Sequence, residues 1–205
     1  LMRLLPERES LGITDLRREP LNIFVLDESP IISAQEQCDK HVVKMIVESA
    51  QMLSTAHRML DGSMDKRKSK SGKTMSKYWE LPDGREHVLY KAVHMGHPCT
   101  VWTMESGANY RWHYTHFVAL CDEYTHRYGK VHMTDAKLRY VLSAIPKSIP
   151  NLDLTPFKLA MGSNPECMSS DPVESYRSFY HTKQDRFKMI WSKRPVPSWF
   201  RIKAV

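Results

Sequence analysis

Six polar side chains, His41, Lys44, Glu48, Gln51, Thr55 and Arg58, recur along one stretch of the chain at spacings of 3, 4, 3, 4 and 3. At about 100° per residue this spacing lines them on one face of a helix, within an arc of roughly 100°. Val42, Val43, Met45, Ile46, Val47, Ala50, Met52, Leu53, Ala56 and Met59 fill most of the remaining circumference. The helix is therefore expected to be embedded in protein on several sides. The polar line is then either the narrow solvated edge of a core helix or the wall of a cleft. In a cleft, an acid, a base, an ammonium and a guanidinium at successive turns can grip and protonate a polar substrate. Glu48 is the candidate general acid/base: burial beside Val47 raises its pKa, Lys44 one turn back lowers it, and the sign stays open.

A second dense region runs from His97 through Trp102 to Asn109, Tyr110, Arg111, Trp112, His113 and His116. Aromatics interleaved with Arg and His suit stacking on bases and holding phosphates, although each ring taken singly suits a core equally well. His94/His97 and His113/His116 share an HxxH spacing. The first pair straddles Gly96 and precedes Pro98, and neither pair has a third carboxylate or thiolate ligand, so no metal is expected. The chain has no GxxxxGK, GxGxxG or GxSxG run, and no nucleotide cofactor or hydrolase elbow is expected either.

The elements that must position these groups are mostly helices. Ser33 to Leu60 has neither Gly nor Pro and predicts one long helix stopped by Gly62. Asp61 to Lys77 has no apolar period, and its six basic residues stand against two aspartates. It reads as a flexible basic loop whose Lys66, Arg67, Lys68, Lys70 and Lys73 would meet phosphates. Further helices are predicted over Arg85–His94, Ala108–Tyr128 with a stop at Gly129, 134–144 and 171–192. Pro146, Pro150 and Pro156 force an extended crossing between the last two. Asn22–Leu26 is the only strand-like segment. The fold class is mainly α: a compact single domain with one short extended segment near its start.

The whole chain has 205 residues and 23.9 kDa, with 30 Lys and Arg against 23 Asp and Glu, a net charge of +7 and a pI near 9.2. A polyanion is the natural partner. No run approaches the roughly 18 apolar residues of a membrane span, so no membrane partner is expected. Four cysteines without a CxxC pair read as reduced thiols of a cytoplasmic protein. Residues 1–20 are charged and weakly periodic and read as an extension. A Leu at both 1 and 21 fits alternative starts, which would place the functional domain at 21–205.

The segments NIFVLDESP, CDKHVVKMIVESAQMLSTAHRMLDG, HPCTVW, ALCDEYTHRYGK, TPFKLAM and RPVPSWF resemble a group of small bacteriophage proteins. That group in turn resembles the pyrimidine-dimer DNA glycosylases of the endonuclease V type. The resemblance spans about residues 22–200 and implies a compact all-α fold and double-stranded DNA as partner. It further implies a monomer acting in the host cytoplasm. It also implies a D-x-H pair followed seven residues later by a catalytic Glu, matched here by Asp39, His41 and Glu48. Two departures stand out. The family nucleophile is the α-amine of an N-terminal Thr, whereas here residues precede Asn22; and the family's arginines around the Glu are Val47 and Gln51. Lys44 is the alternative amine. Three functions follow as expectations: a DNA glycosylase with or without lyase action, a phage transferase adding a small group to a hydroxymethylated pyrimidine in DNA, and a DNA-binding protein without chemistry.

Overall fold

The computed structural model describes residues 21–204, so the expected extension at 1–20 lies outside the described residues. Six α-helices and one two-stranded hairpin follow in chain order: α1 (Pro30–Gln35), α2 (Asp39–Asp61), β1 (Ser63–Lys68), β2 (Met75–Glu80), α3 (Pro98–Glu105), α4 (Gly107–Tyr128), α5 (Met133–Leu142) and α6 (Pro172–His181). The protein is mainly α. Helix α2 runs through the core against α3, α4 and α5, and α1 lies on α4. Among the described residues no helix is long and apolar enough to cross a membrane.

Local signals set the helix ends. Ser106 accepts the Asn109 N–H at 2.9 Å to cap α4, and Asp171 accepts from Val173 and Glu174 to cap α6, each satisfying an orphan donor of the first turn. Gly129 closes α4 at φ 68, a left-handed conformation that favours glycine. Gly62 ends α2 for another reason. A Cβ there would lie 2.4 Å from the Arg58 carbonyl and 3.0 Å from that of Glu80, where the chain turns into the hairpin.

Four expected elements differ from the structure, three helices and one strand, and in each case tertiary hydrogen bonds replace the expected backbone ladder. The long helix from Ser33 is broken at 36–38. There Arg127 takes the carbonyls of Gln35 and Gln37, and the Cys38 N–H donates to Tyr180. The helix expected at Arg85–His94 shrinks to a single 3-10 turn, Gly84–His87. Arg58 claims the carbonyls of Glu86, Leu89 and Tyr90, and Thr55 bonds both backbone groups of Val93. The helix expected at 171–192 ends at His181 and a 3-10 turn to Asp185, and the Ile190 carbonyl accepts from Asp39 instead. Asn22–Leu26 is buried and joins no sheet among the described residues. Side chains of Asn22, Ser33 and Gln37 serve its backbone.

The expected basic loop is a correction of a different kind. It forms an antiparallel hairpin pairing Ser63 with Glu80 and Lys68 with Met75. Alternation went unseen because both faces are rich in polar residues, and strands are recognised by an apolar alternate row.

Candidate active site

Glu48 sits midway along α2, with its side chain 12% exposed. Lys44, one turn earlier, places Nζ 3.2 Å from Oε1. The main-chain N–H of Asn22 donates to Oε2 at 3.2 Å. The Asn22 side chain anchors this approach, giving Nδ2 to the Ala160 carbonyl at 2.8 Å and accepting the N–H groups of Ile23 and Phe24 on Oδ1. The carboxylate thus lies between an ammonium and an amide, both of which stabilise its charge.

The backbone around this point is strained. Phe24 has φ 55 and His94 has φ 51, two of the three non-glycine residues with positive φ among those described. Left-handed backbone costs a side-chain-bearing residue roughly 1–2 kcal/mol and persists where surroundings over-determine it. Phe24 is held by burial and by stacking on His41 at 4.7 Å. His94 begins a turn whose last residue, His97, hydrogen-bonds the Leu21 backbone and accepts from Cys99 on Nδ1. Burial and the neighbouring His94 lower the His97 pKa. Burial pushes the Cys99 thiol up to about 12, and the nearby charge of Glu48 adds to that rise.

Of the polar line on α2, Lys44, Glu48 and Gln51 are half-buried, and Lys44 meets Glu48 directly. The outer members serve the fold. His41 is buried with Nδ1 2.8 Å from the Tyr180 hydroxyl. Asp39 accepts from Arg127 at 3.0 Å and from the Ser192 N–H at 2.9 Å, tying the start of α2 to α4 and the C-terminal segment. Arg58, expected to grip substrate, is 1% exposed and is consumed by Glu86 at 2.6 Å and by carbonyls of Trp79, Glu86, Leu89 and Tyr90.

The aromatic region is also mostly structural. Trp102, Asn109 and Tyr110, expected to contact DNA, are buried. Asn109 donates to the Trp102 carbonyl and Thr155 and accepts the Thr155 N–H, locking the α3–α4 corner to the proline crossing. Tyr110 donates to the Leu142 carbonyl at 2.8 Å. Its oxygen therefore accepts from His57 Nε2, leaving Nδ1 to accept from Arg85. Burial and Arg85 lower the His57 pKa to about 4. Arg111 alone of this group is exposed, and His97 is half-buried beside Leu21. His113 and His116 are buried, and among the described residues no three His, Cys, Asp or Glu side chains converge as a metal site.

The sequence pattern missed Asn22 and Lys183. Asn22 directly precedes the first apolar run, and that position is its only signal. Lys183 is 3% exposed and lies 4.0 Å from the ring centre of Phe179 and 5.6 Å from that of Phe24, brought there by a 3-10 turn that no spacing announces. A hollow of about 750 Å³ between α4 and α5, lined by Tyr114, Asp122, Asp135, Arg139 and Tyr140 among others, shares no residue with this site. Its Arg139 is already paired with Asp122 at 2.7 Å and Asp135 at 2.6 Å.

No protein-family model, curated protein or solved structure matches the chain.

Proposed function

We propose that this chain is a DNA-acting enzyme working on pyrimidine nucleotides, a pyrimidine-dimer DNA glycosylase with a helical fold of the endonuclease V type. The observation that carries this reading is the placement of Glu48 between the Asn22 main-chain nitrogen and Lys44 Nζ, each at 3.2 Å. The resemblance implies that a chain-terminal amine meets the catalytic carboxylate at this point. Here the Asn22 nitrogen is a peptide amide, which donates a hydrogen bond and cannot attack carbon. Lys44 is then the amine of the site. Glu48 takes a proton from its ammonium, and the nitrogen lone pair bonds to C1′ of the extruded nucleotide. The C1′–base bond breaks with its electron pair leaving on the pyrimidine, which receives the proton back from Glu48. The proton then lost from nitrogen passes to O4′, which leaves C1′ with its electron pair as the sugar ring opens and the nitrogen lone pair forms the C1′=N bond of an imine, from which strand cleavage can follow.

The same peptide bond at Asn22 favours a second reading, a transferase that joins a small group to a hydroxymethylated pyrimidine in DNA. One experiment separates the two. The protein is incubated with a UV-irradiated duplex and with a hydroxymethylpyrimidine duplex, then examined by borohydride trapping and nucleoside mass analysis. The glycosylase reading expects a trapped protein–DNA adduct, or a cut C1′–base bond with the pyrimidine still joined to its dimer partner, on irradiated DNA. A heavier nucleoside without an adduct would replace it with the transferase, and binding without either product would reduce the protein to a DNA binder.

A further inference from the structure

The hairpin has two chemically distinct faces. Successive side chains of a strand point to opposite sides. Given the pairing of Met64 with Trp79, Lys66 with Lys77 and Lys68 with Met75, these six residues share one face. Asp65, Arg67, Ser76, Tyr78 and Glu80 share the other. On that second face the one cation is paired, and the ring of Tyr78 is tied to the body. The Arg67 guanidinium lies 3.8 Å over the Tyr78 ring and 2.7 Å from Glu80, and Tyr78 meets Glu86 and Arg58.

The first face has three lysines and no carboxylate. Lys66 stands directly opposite Lys77, and like charges at opposed positions destabilise a strand pair. A hairpin built for its own stability would put an acid there. Around the lysines, Met64 and Met75 are 52% and 58% exposed, and Lys70 and Lys73 extend the charge into the tip. An anion relieves the repulsion between the lysines, and the methionines need an apolar partner.

We propose that this face of the hairpin is a ribbon that enters the major groove of duplex DNA. Lys66, Lys68 and Lys77 would lie against the phosphates, with Met64 and Met75 against base edges. The proposal rests on DNA being the partner, and adds the groove, the face and the residues. The major groove of B-DNA, about 12 Å wide, admits a two-stranded ribbon, and thymine methyl groups offer methionine an apolar contact. The deep, narrow major groove of A-form RNA does not admit one. Arg67, on the opposite face, is excluded from the contact.

The test is equilibrium binding of the full chain to duplex DNA over a range of salt. Lys66→Gln/Lys77→Gln is compared with Lys130→Gln/Lys137→Gln, which removes the same charge from exposed positions outside the hairpin. The ribbon pair is expected to weaken binding roughly tenfold or more near 0.15 M salt and to flatten the salt slope by about 1.8, with the control pair within about twofold of wild type. Glucosylated hydroxymethylcytosine, which fills the major groove, should remove the difference between wild type and the ribbon pair. Equal losses in both pairs, an undiminished ribbon variant, or tighter binding to duplex RNA would overturn the ribbon while leaving nucleic-acid binding in place. A wild-type chain that binds no duplex would overturn both the ribbon and the DNA reading.

Discussion

The main-chain nitrogen of Asn22 lies 3.2 Å from Oε2 of Glu48, across 26 residues of chain. This contact joins a buried, strained segment to the middle of the central helix and orients the carboxylate that Lys44 approaches from the other side. It depends on the Asn22 side chain, which bonds the Ala160 carbonyl and the N–H groups of Ile23 and Phe24. Asn22→Ala should therefore lower turnover on the proposed DNA substrate while leaving DNA affinity within about twofold. Single-turnover rates beside binding curves would show it, and a lowered affinity with unchanged turnover would contradict it.

Arg58 is expected to matter for stability and not for chemistry. Arg58→Ala would take the guanidinium from Glu86, 14% exposed at its side chain, leaving that carboxylate the Tyr78 hydroxyl and the Leu81 N–H, and would deprive four carbonyl groups of the Arg58 donor. Breaking a buried pair in this way costs about 3–5 kcal/mol. Arg58→Lys should recover little, because a single ammonium cannot reproduce the guanidinium fork. Urea unfolding at neutral pH measures both, and a loss under about 1 kcal/mol would be inconsistent with the network.

Stability should fall on mild acidification. Burial holds His113 and His116 at about 3, and burial with Arg85 holds His57 at about 4. Unfolded histidines protonate near 6.5. Between about pH 6.5 and pH 4 the unfolded chain therefore binds more protons than the folded one, so stability is full above that window and is lost as pH drops through it. Each histidine contributes at most about 1.4 kcal/mol per pH unit. His113 donates from Nδ1 to Thr103, whose hydroxyl is already given to the Cys99 carbonyl. His113→Asn keeps a donor there and should flatten the decline by about one proton. A urea midpoint that stays level from pH 7 to pH 4.5 would refute the assignment.

Asn109 distinguishes a structural corner from a DNA contact. Asn109→Ala removes the bonds to Trp102 and Thr155 and leaves buried backbone groups unpaired. A loss of about 2–3 kcal/mol in unfolding free energy is expected, with unchanged DNA affinity per folded molecule. Weaker DNA binding at unchanged stability would return Asn109 to the interface.

The helices with clear stops were legible from sequence. The helix read from Ala108 to Tyr128 is α4, closed by Gly129, and Gly62 ends α2 near where the pattern predicts. Elsewhere long-range bonds overrode local preference. The backbone at 86–93 would suit a helix, but Arg58 and Thr55 on α2 take its polar groups, and spacing cannot reveal a guanidinium reaching six acceptors. The polar residues of α2 do fall on one helix, yet His41, Thr55 and Arg58 are buried against protein at 0%, 0% and 1% exposure. A polar residue on a helix face looks the same in sequence whether it meets substrate or a buried carbonyl. Asn22 carried no periodic signal, because its role comes from a turn and not from a helix.

The most direct test of the central claim is turnover of irradiated duplex DNA by Glu48→Gln against wild type, with duplex affinity measured alongside. Loss of the proton acceptor should reduce product formation at least about 100-fold, while the amide still meets the Asn22 N–H and affinity stays within about twofold. Turnover by Glu48→Gln equal to that of wild type would remove Glu48 from the chemistry and contradict the account.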